Sequence, residues 1–201
     1  MYFKENTIKP IERYQDILTA EFNYIAQAAF QAQEDRARVT EFFIVCIGSI
    51  ILAVMSFKIE GVDLIELYKW LSVLFGVILS FGAVTLLQLS RLRLAWFESI
   101  EALNTIKENL IAEEPGLENC FKWTNKNLPS KVKLGSIGFF KALQTAILSG
   151  IACSAIVYFS LLSKNCDIAL SSLCLISIIG AAVMLFLFNL LPLLLKKSSL
   201  Q

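Results

Sequence analysis

The sequence predicts an all-α integral membrane four-helix bundle in which two long helices extend into the cytoplasm as an antiparallel hairpin. Three observations predict it. Hydrophobic residues make up 56% of the chain and charged residues only 17%, against about 45–50% and about 25% in a typical soluble domain. The apolar excess is gathered in four blocks, each close to the ~20 residues that cross a bilayer. Two of the blocks continue into long amphipathic runs at helical spacing.

Residues 1–41 form the first run. Ile11, Tyr14, Leu18, Phe22, Ile25, Ala29 and Ala32 recur at steps of three and four, which marks one face of a helix. No Pro or Gly separates this stripe from the first apolar block, 42–57, sixteen residues without a charge. Val39 and Thr40 extend the block, with Glu41 at headgroup level. Because the block starts only at Phe42, insertion is expected to use this internal helix.

A tight outer turn at Gly61 follows, and Asp63 with Glu66 reads as a capping pair for the second helix. The second block is 67–89, with Lys69 near its start. A second amphipathic run occupies 90–112, where Leu92, Trp96, Ile100, Leu103, Ile106 and Leu110 recur until Pro115-Gly116 stops them. Residues 113–138 form the one irregular cytoplasmic stretch, with a short helix expected around Leu117–Lys126. Phe121-Lys122-Trp123 followed by Lys126, Lys131 and Lys133 mixes aromatics with bases. Both nucleic-acid surfaces and membrane-interface belts use that mix. The stretch leads straight into the third block, so it reads as an interface belt and no direct nucleic-acid contact is expected. The third and fourth blocks are 139–162, with Lys141 near its start, and 168–195, uncharged throughout; 196–201 is a short tail.

Basic residues orient the bundle. Fifteen of the 18 Lys and Arg fall in the N-terminal segment, the central stretch and the tail, whereas the two outer turns hold only Lys58, Lys69 and Lys164. The positive-inside rule then places both termini in the cytoplasm of a bacterial inner membrane, as a multi-pass chain. With so little mass outside, an extracellular ligand is not expected.

The two continuous runs, 11–57 and 66–112, are each forty-seven residues long, about 70 Å as helix. Two equal antiparallel helices joined by one turn are expected to pair along their whole length. Facing positions then sum to about 123, which brings Glu34 and Asp35 near Arg91 and Arg93 as register-fixing ion pairs. The alternative is that each cytoplasmic half lies flat on the bilayer. The first polar face argues against that, since it carries Glu12, Asp16, Glu21, Glu34 and Asp35 rather than a row of Lys.

Composition excludes several function classes. There is no histidine, hence neither the commonest general base nor the commonest zinc ligand. The five cysteines form no CxxC pair and read as packing thiols. A net charge of +1 gives no field that would gather nucleic acid. No catalytic, cofactor-binding or metal-ligating residue is assigned. Glu98 and Glu101, three apart, offer a carboxylate pair for a lipid-acting enzyme, but on an open helix face they read as solvated. No span carries a midplane ionisable group of the kind ion-coupled transporters use. Asn189, three residues before Pro192, is expected to satisfy the carbonyl that the proline frees.

Small residues are ordered instead. Ala142, Ala146, Gly150 and Ser154 lie four apart in the third span, and Ser72, Gly76 and Ser80 four apart in the second. Such ladders let helix backbones approach closely in lipid, and two of them suggest a homo-oligomer.

The segments Glu21–Gln27, Glu34-Asp35-Arg36, Arg91–Trp96, Ile106-Lys107-Glu108 and Leu143-Gln144 resemble a group of uncharacterised small bacterial four-transmembrane-helix proteins. In size and topology the chain is also similar to membrane components of phage-defence systems, Kiwa-type or CRISPR-accessory. The bulky helical cytoplasmic part, the small mass outside and the small-residue ladders lead to the expectation of a non-enzymatic inner-membrane effector or sensor subunit that works with a cytoplasmic protein partner and contacts membrane lipid; the looser similarity adds antiviral defence as a setting. The alternative reading is a small oligomeric channel lined by Ser72, Ser80, Thr85 and Gln88.

Overall fold

A computed structural model describes residues 10–56, 63–125 and 135–198 of the chain, with side chains described over 15–56, 63–125 and 135–190. The turn at Gly61, the bases Lys126, Lys131 and Lys133, and the side chains of Ile11, Tyr14 and Pro192 lie outside the described residues. Among the described residues the elements are four α-helices and one 3-10 turn: α1 Pro10–Ser56, α2 Leu64–Glu113, α3 Ile137–Leu162 and α4 Leu170–Ser198, with η1 Pro115–Cys120 between α2 and α3. All four α-helices are long and apolar enough to cross a membrane, the architecture of a multi-pass membrane protein.

Each end has a local cause. The Asp63 carboxylate accepts from the Ile65 amide at 3.0 Å, so α2 starts at Leu64, two residues before the expected 66. The stop at Pro115 holds, because η1 begins there with the proline in its first turn, where its missing N–H costs nothing. The short helix expected around Leu117–Lys126 is thus a tight 3-10 turn that ends at Cys120. Gly135, at φ +84°, turns the chain into α3, and the Ser136 hydroxyl caps that helix by accepting from Phe139 at 3.2 Å. At the far end Asn165 adopts a left-handed φ of 54°. Its amide reaches Leu162 O and the Cys166 amide reaches Leu161 O, both at 3.0 Å, which closes the helix in the Schellman manner. Residues 166–169 take no regular structure past this stop, and α4 begins at Leu170 rather than 168.

The described residues divide into two compact units. One joins α1 up to Gln33 with α2 from Ala95 and the segment after it; here Ala29, Ala32, Leu103 and Asn104 are buried. The other holds Glu34–Ser56 of α1, α2 up to Leu94, α3 and α4. In this second unit Phe81 meets both Phe42, at 6.0 Å between ring centroids, and Phe43, at 5.8 Å. The pairing of 42 with 81 is the register that the sequence predicts for the α1–α2 turn.

The core of the second unit is made of small and polar side chains. Ala142, Thr145, Ala146, Ser149 and Gly150 are all buried on one side of α3. Two layers surround them: Phe43, Ile47, Ile78 and Ala152 in the middle, then Leu86, Leu89 and Phe188 against Ala142 and Ala146. Large apolar residues point the other way; Trp70 and Ile178 are each 66% exposed. In water that arrangement would forfeit the hydrophobic driving force. In lipid the outside needs no burial, and close packing of small residues holds the helices instead.

Candidate functional site

The small-residue positions separate into two groups. Ala142, Ala146 and Gly150 are buried, and Gly150 lies against α4. A methyl added there would collide with the carbonyl of Ser177 and come 2.9 Å from the Ala181 amide. Gly180 completes the contact, since a Cβ on it would sit 3.3 Å from the Gly150 Cα. Ser154 turns its hydroxyl back to Ile151 O at 2.8 Å. The α2 ladder behaves differently. Ser72 faces α3, with its Oγ 2.7 Å from Ser160 Oγ and 3.2 Å from Ile156 O. Gly76 has open space where a Cβ would go, and Ser80, exposed, bonds only to its own helix at Gly76 O. Sequence spacing did not single out Gly82. It is the glycine that admits α3 to α2, because a Cβ there would strike Ser149 Oγ and lie 3.2 Å from the Phe43 ring.

The residues proposed as a pore stripe do not share a face. Ser72 and Thr85 turn inward, Thr85 being 2% exposed with its hydroxyl on Phe81 O. Ser80 and Gln88 point outward.

The expected ion-pair residues divide as well. Glu34 and Asp35 reach Arg38 on their own helix, at 3.6 Å and 3.9 Å. Arg91 is exposed. Arg93 extends over the Phe188 ring, 5.6 Å from its centroid. Arg36 lies in the seam of α1 between buried Ala32 and buried Thr40. Its guanidinium is pushed below its ordinary pKa, first by burial and second by the charge of Arg93; burial lowers Arg93 too. Both arginines lie beyond the apolar blocks.

The first unit holds a second polar set. Glu108 accepts from the Asn125 backbone amide at 3.2 Å and from its side-chain amide at 2.9 Å. Lys107 donates to the buried Asn104 at 3.3 Å and lies 5.9 Å from the Phe121 ring centroid. Residues 121–125 are thereby strapped onto α2. Glu98 and Glu101 are exposed and join no such set.

Asn189 corrects one expectation. Its amide donates to Leu185 O at 2.9 Å, one turn before itself, whereas the carbonyl that Pro192 leaves open belongs to residue 188. The short Asn side chain bends back along its own helix instead of forward. The five cysteines are free thiols, and no group of three His, Cys, Asp or Glu converges among the described residues. An apolar groove of about 520 Å³ runs between Val54 on α1 and Leu67, Trp70 and Leu74 on α2, with no polar chemistry to offer.

No family model, no curated protein and no solved structure matches this chain.

Proposed function

We propose that this chain is a non-enzymatic subunit of a bacterial inner membrane, with both termini cytoplasmic, that passes a signal to or from a cytoplasmic protein partner. One observation carries the reading. The first unit buries its seam at Ala29, Ala32 and Leu103, yet leaves Ile17, Tyr24 and Trp123 exposed. Ile17 and Tyr24 are two turns apart on one face of α1, beyond the apolar block that begins at Phe42. Apolar side chains held out from a packed cytoplasmic helix pair form the kind of patch a protein partner covers. The strap from Phe121 to Asn125 sets Trp123 on the same unit. Antiviral defence is one setting in which such a membrane subunit would serve.

Self-association belongs to the same reading. The α3 ladder is spent inside the chain, against α2 and α4, whereas Gly76 and Ser80 leave the α2 ladder open towards lipid, beside exposed Val73 and Val77. A second copy would pack there. The channel reading loses its lining, because Ser72 and Thr85 face the interior of a single chain.

The experiment places a photocrosslinking residue at Tyr24 or Trp123 and, as a control, at Ile178, in cells that carry the native gene neighbourhood. One soluble protein should be joined at the first two positions and none at the third. Lipid adducts alone at Tyr24 and Trp123 would mean that these helices lie flat on the bilayer, and the partner reading would fail.

A further inference from the structure

We propose that Asn104, Lys107 and Glu108 of α2 form a peptide-binding face, closed here by the chain's own residues 121–125 and opened to a partner segment of the same chemistry. The three side chains lie three and four apart, on one stripe of the helix. Lys107 joins the face to the strap, since its Nζ donates to Asn104 Oδ1 at 3.3 Å and lies 5.9 Å from the Phe121 ring centroid. Glu108 grips the other end. One of its oxygens accepts from the Asn125 backbone amide at 3.2 Å and the other from the Asn125 side-chain amide at 2.9 Å. A carboxylate that takes a backbone N–H and a carboxamide from one residue selects a peptide, because both donors must arrive at a fixed separation.

Asn104 supplies the independent observation. It is 0% exposed, and its Nδ2 has no hydrogen-bond partner among the described residues. Asn125 Oδ1 is buried and unpartnered too. Buried polar atoms are nearly always bonded, and each one left over weighs against the arrangement that leaves it so. The strap therefore fills the face without satisfying it. A segment that brings a carbonyl to Asn104 makes one bond that the strap does not, and this surplus lets it displace a tethered rival.

The hold on the strap is local. Lys122 and Trp123 are exposed, Phe121, Thr124 and Asn125 are half-buried, and residues 121–124 belong to no helix. A segment with so few buried apolar contacts opens at low cost while the helices beneath it stay folded. The partner's chemistry follows from the groups it replaces: an aromatic side chain to cover Lys107, a backbone N–H and a carboxamide four residues on for Glu108, and a carbonyl for Asn104. The proposal deepens the partner reading and rests on it for the existence of that partner. Opening would also move Trp123, one of the exposed residues on which that reading stands.

The test uses the full chain in neutral detergent and, as probe, a labelled peptide that repeats residues 121–125, with binding read as fluorescence anisotropy. In the parent the tethered strap acts at an effective concentration of about a millimolar and holds the peptide off. The double variant Phe121→Ala with Asn125→Ala should free the face and bind the peptide about tenfold more tightly. Adding Glu108→Ala should remove that gain, while adding Glu101→Ala, at an exposed position of α2, should keep it. Should Glu108→Ala lower the helical content, the peptide carrying Asn125→Ala decides, and it must bind the double variant about fivefold more weakly than the unchanged peptide. Equal binding by the parent and the double variant, or none by the double variant, overturns the proposal. So does a dimer present in the parent and lost in the double variant, because the strap would then be exchanged between two copies. A protein joined at Tyr24 in cells, with no peptide bound by the double variant, would remove the latch and leave the partner reading standing. Peptide binding with lipid adducts alone at Tyr24 would keep the latch and remove the partner reading.

Discussion

Gly150 of α3 packs so closely against Ala181 of α4 that a methyl group on the glycine would lie 2.9 Å from the alanine amide and 3.0 Å from its Cβ. Gly76, in a ladder of the same spacing, has nothing within 4 Å of where its Cβ would be. The two glycines should therefore respond differently to one change. Gly150→Leu is expected to destabilise the single chain by about 1–3 kcal/mol through overpacking, read as a lower unfolding midpoint in detergent. Gly76→Leu should leave that midpoint near the parent value and instead reduce dimer content in a size measurement. Equal loss of midpoint in both variants would contradict the division of the ladders.

The hydroxyl pair between Ser72 and Ser160, at 2.7 Å, joins the first turns of α2 to the last turn of α3. Ser72→Ala and Ser160→Ala should each cost about 0.5–1 kcal/mol in a thermal melt, with a coupling near 0.6 kcal/mol in the double-mutant cycle. Additive costs would mean that each hydroxyl is served by its own backbone neighbours and that the pair does not hold the helices.

Much of this arrangement was legible in the sequence. The apolar blocks and the Pro115-Gly116 stop set the helix bounds to within a few residues, because span length and broken backbone hydrogen bonding act locally. The register at Phe42 and Phe81 was legible too, since a short turn leaves antiparallel helices little freedom. Which small residues face inward was not. Spacing says that a backbone can come close, but Gly82 matters because Ser149 and Phe43 arrive from two other helices. The acidic partners followed a similar logic. Glu34 and Arg38, four apart, satisfy the strongest local rule for a helix pair, and a local partner one turn away wins over a distant one that needs two helices aligned. The half-burial of Arg36 and Arg93 is not legible either, because in the sequence each looks like one more surface charge.

Because Glu34 already reaches Arg38, with the Arg38 side chain 75% exposed, its pair contributes little. Glu34→Gln should shift stability by no more than about 0.5 kcal/mol. Exchanging charges in Glu34→Arg with Arg91→Glu should recover no more than that. A recovery of several kcal/mol by the double exchange, measured against Glu34→Arg alone, would restore the inter-helix pair as the device that fixes register.

The stripes of the first unit give a distance test. Leu18 and Ile106 fall in nearly the same register as Phe42 and Phe81 and belong to the same compact unit. Cysteines introduced at both, in a background freed of the five natural ones, should form a disulfide under mild oxidation. A control pair of Tyr24 and Ile106 should not. No crosslink at Leu18 and Ile106 would separate the two helices and remove the rigid cytoplasmic part that the partner reading needs.

The partner reading depends on which side of the membrane each part of the chain lies. Topology reporters placed at Gly61 and after Gln201 measure this. An external signal is expected at Gly61 and a cytoplasmic one after Gln201, with Trp123 reached by a soluble reagent only once the inner membrane is opened. A cytoplasmic signal at Gly61, or an external one after Gln201, would contradict it. The exposed apolar residues Ile17, Tyr24 and Trp123 would then face no cytoplasmic partner.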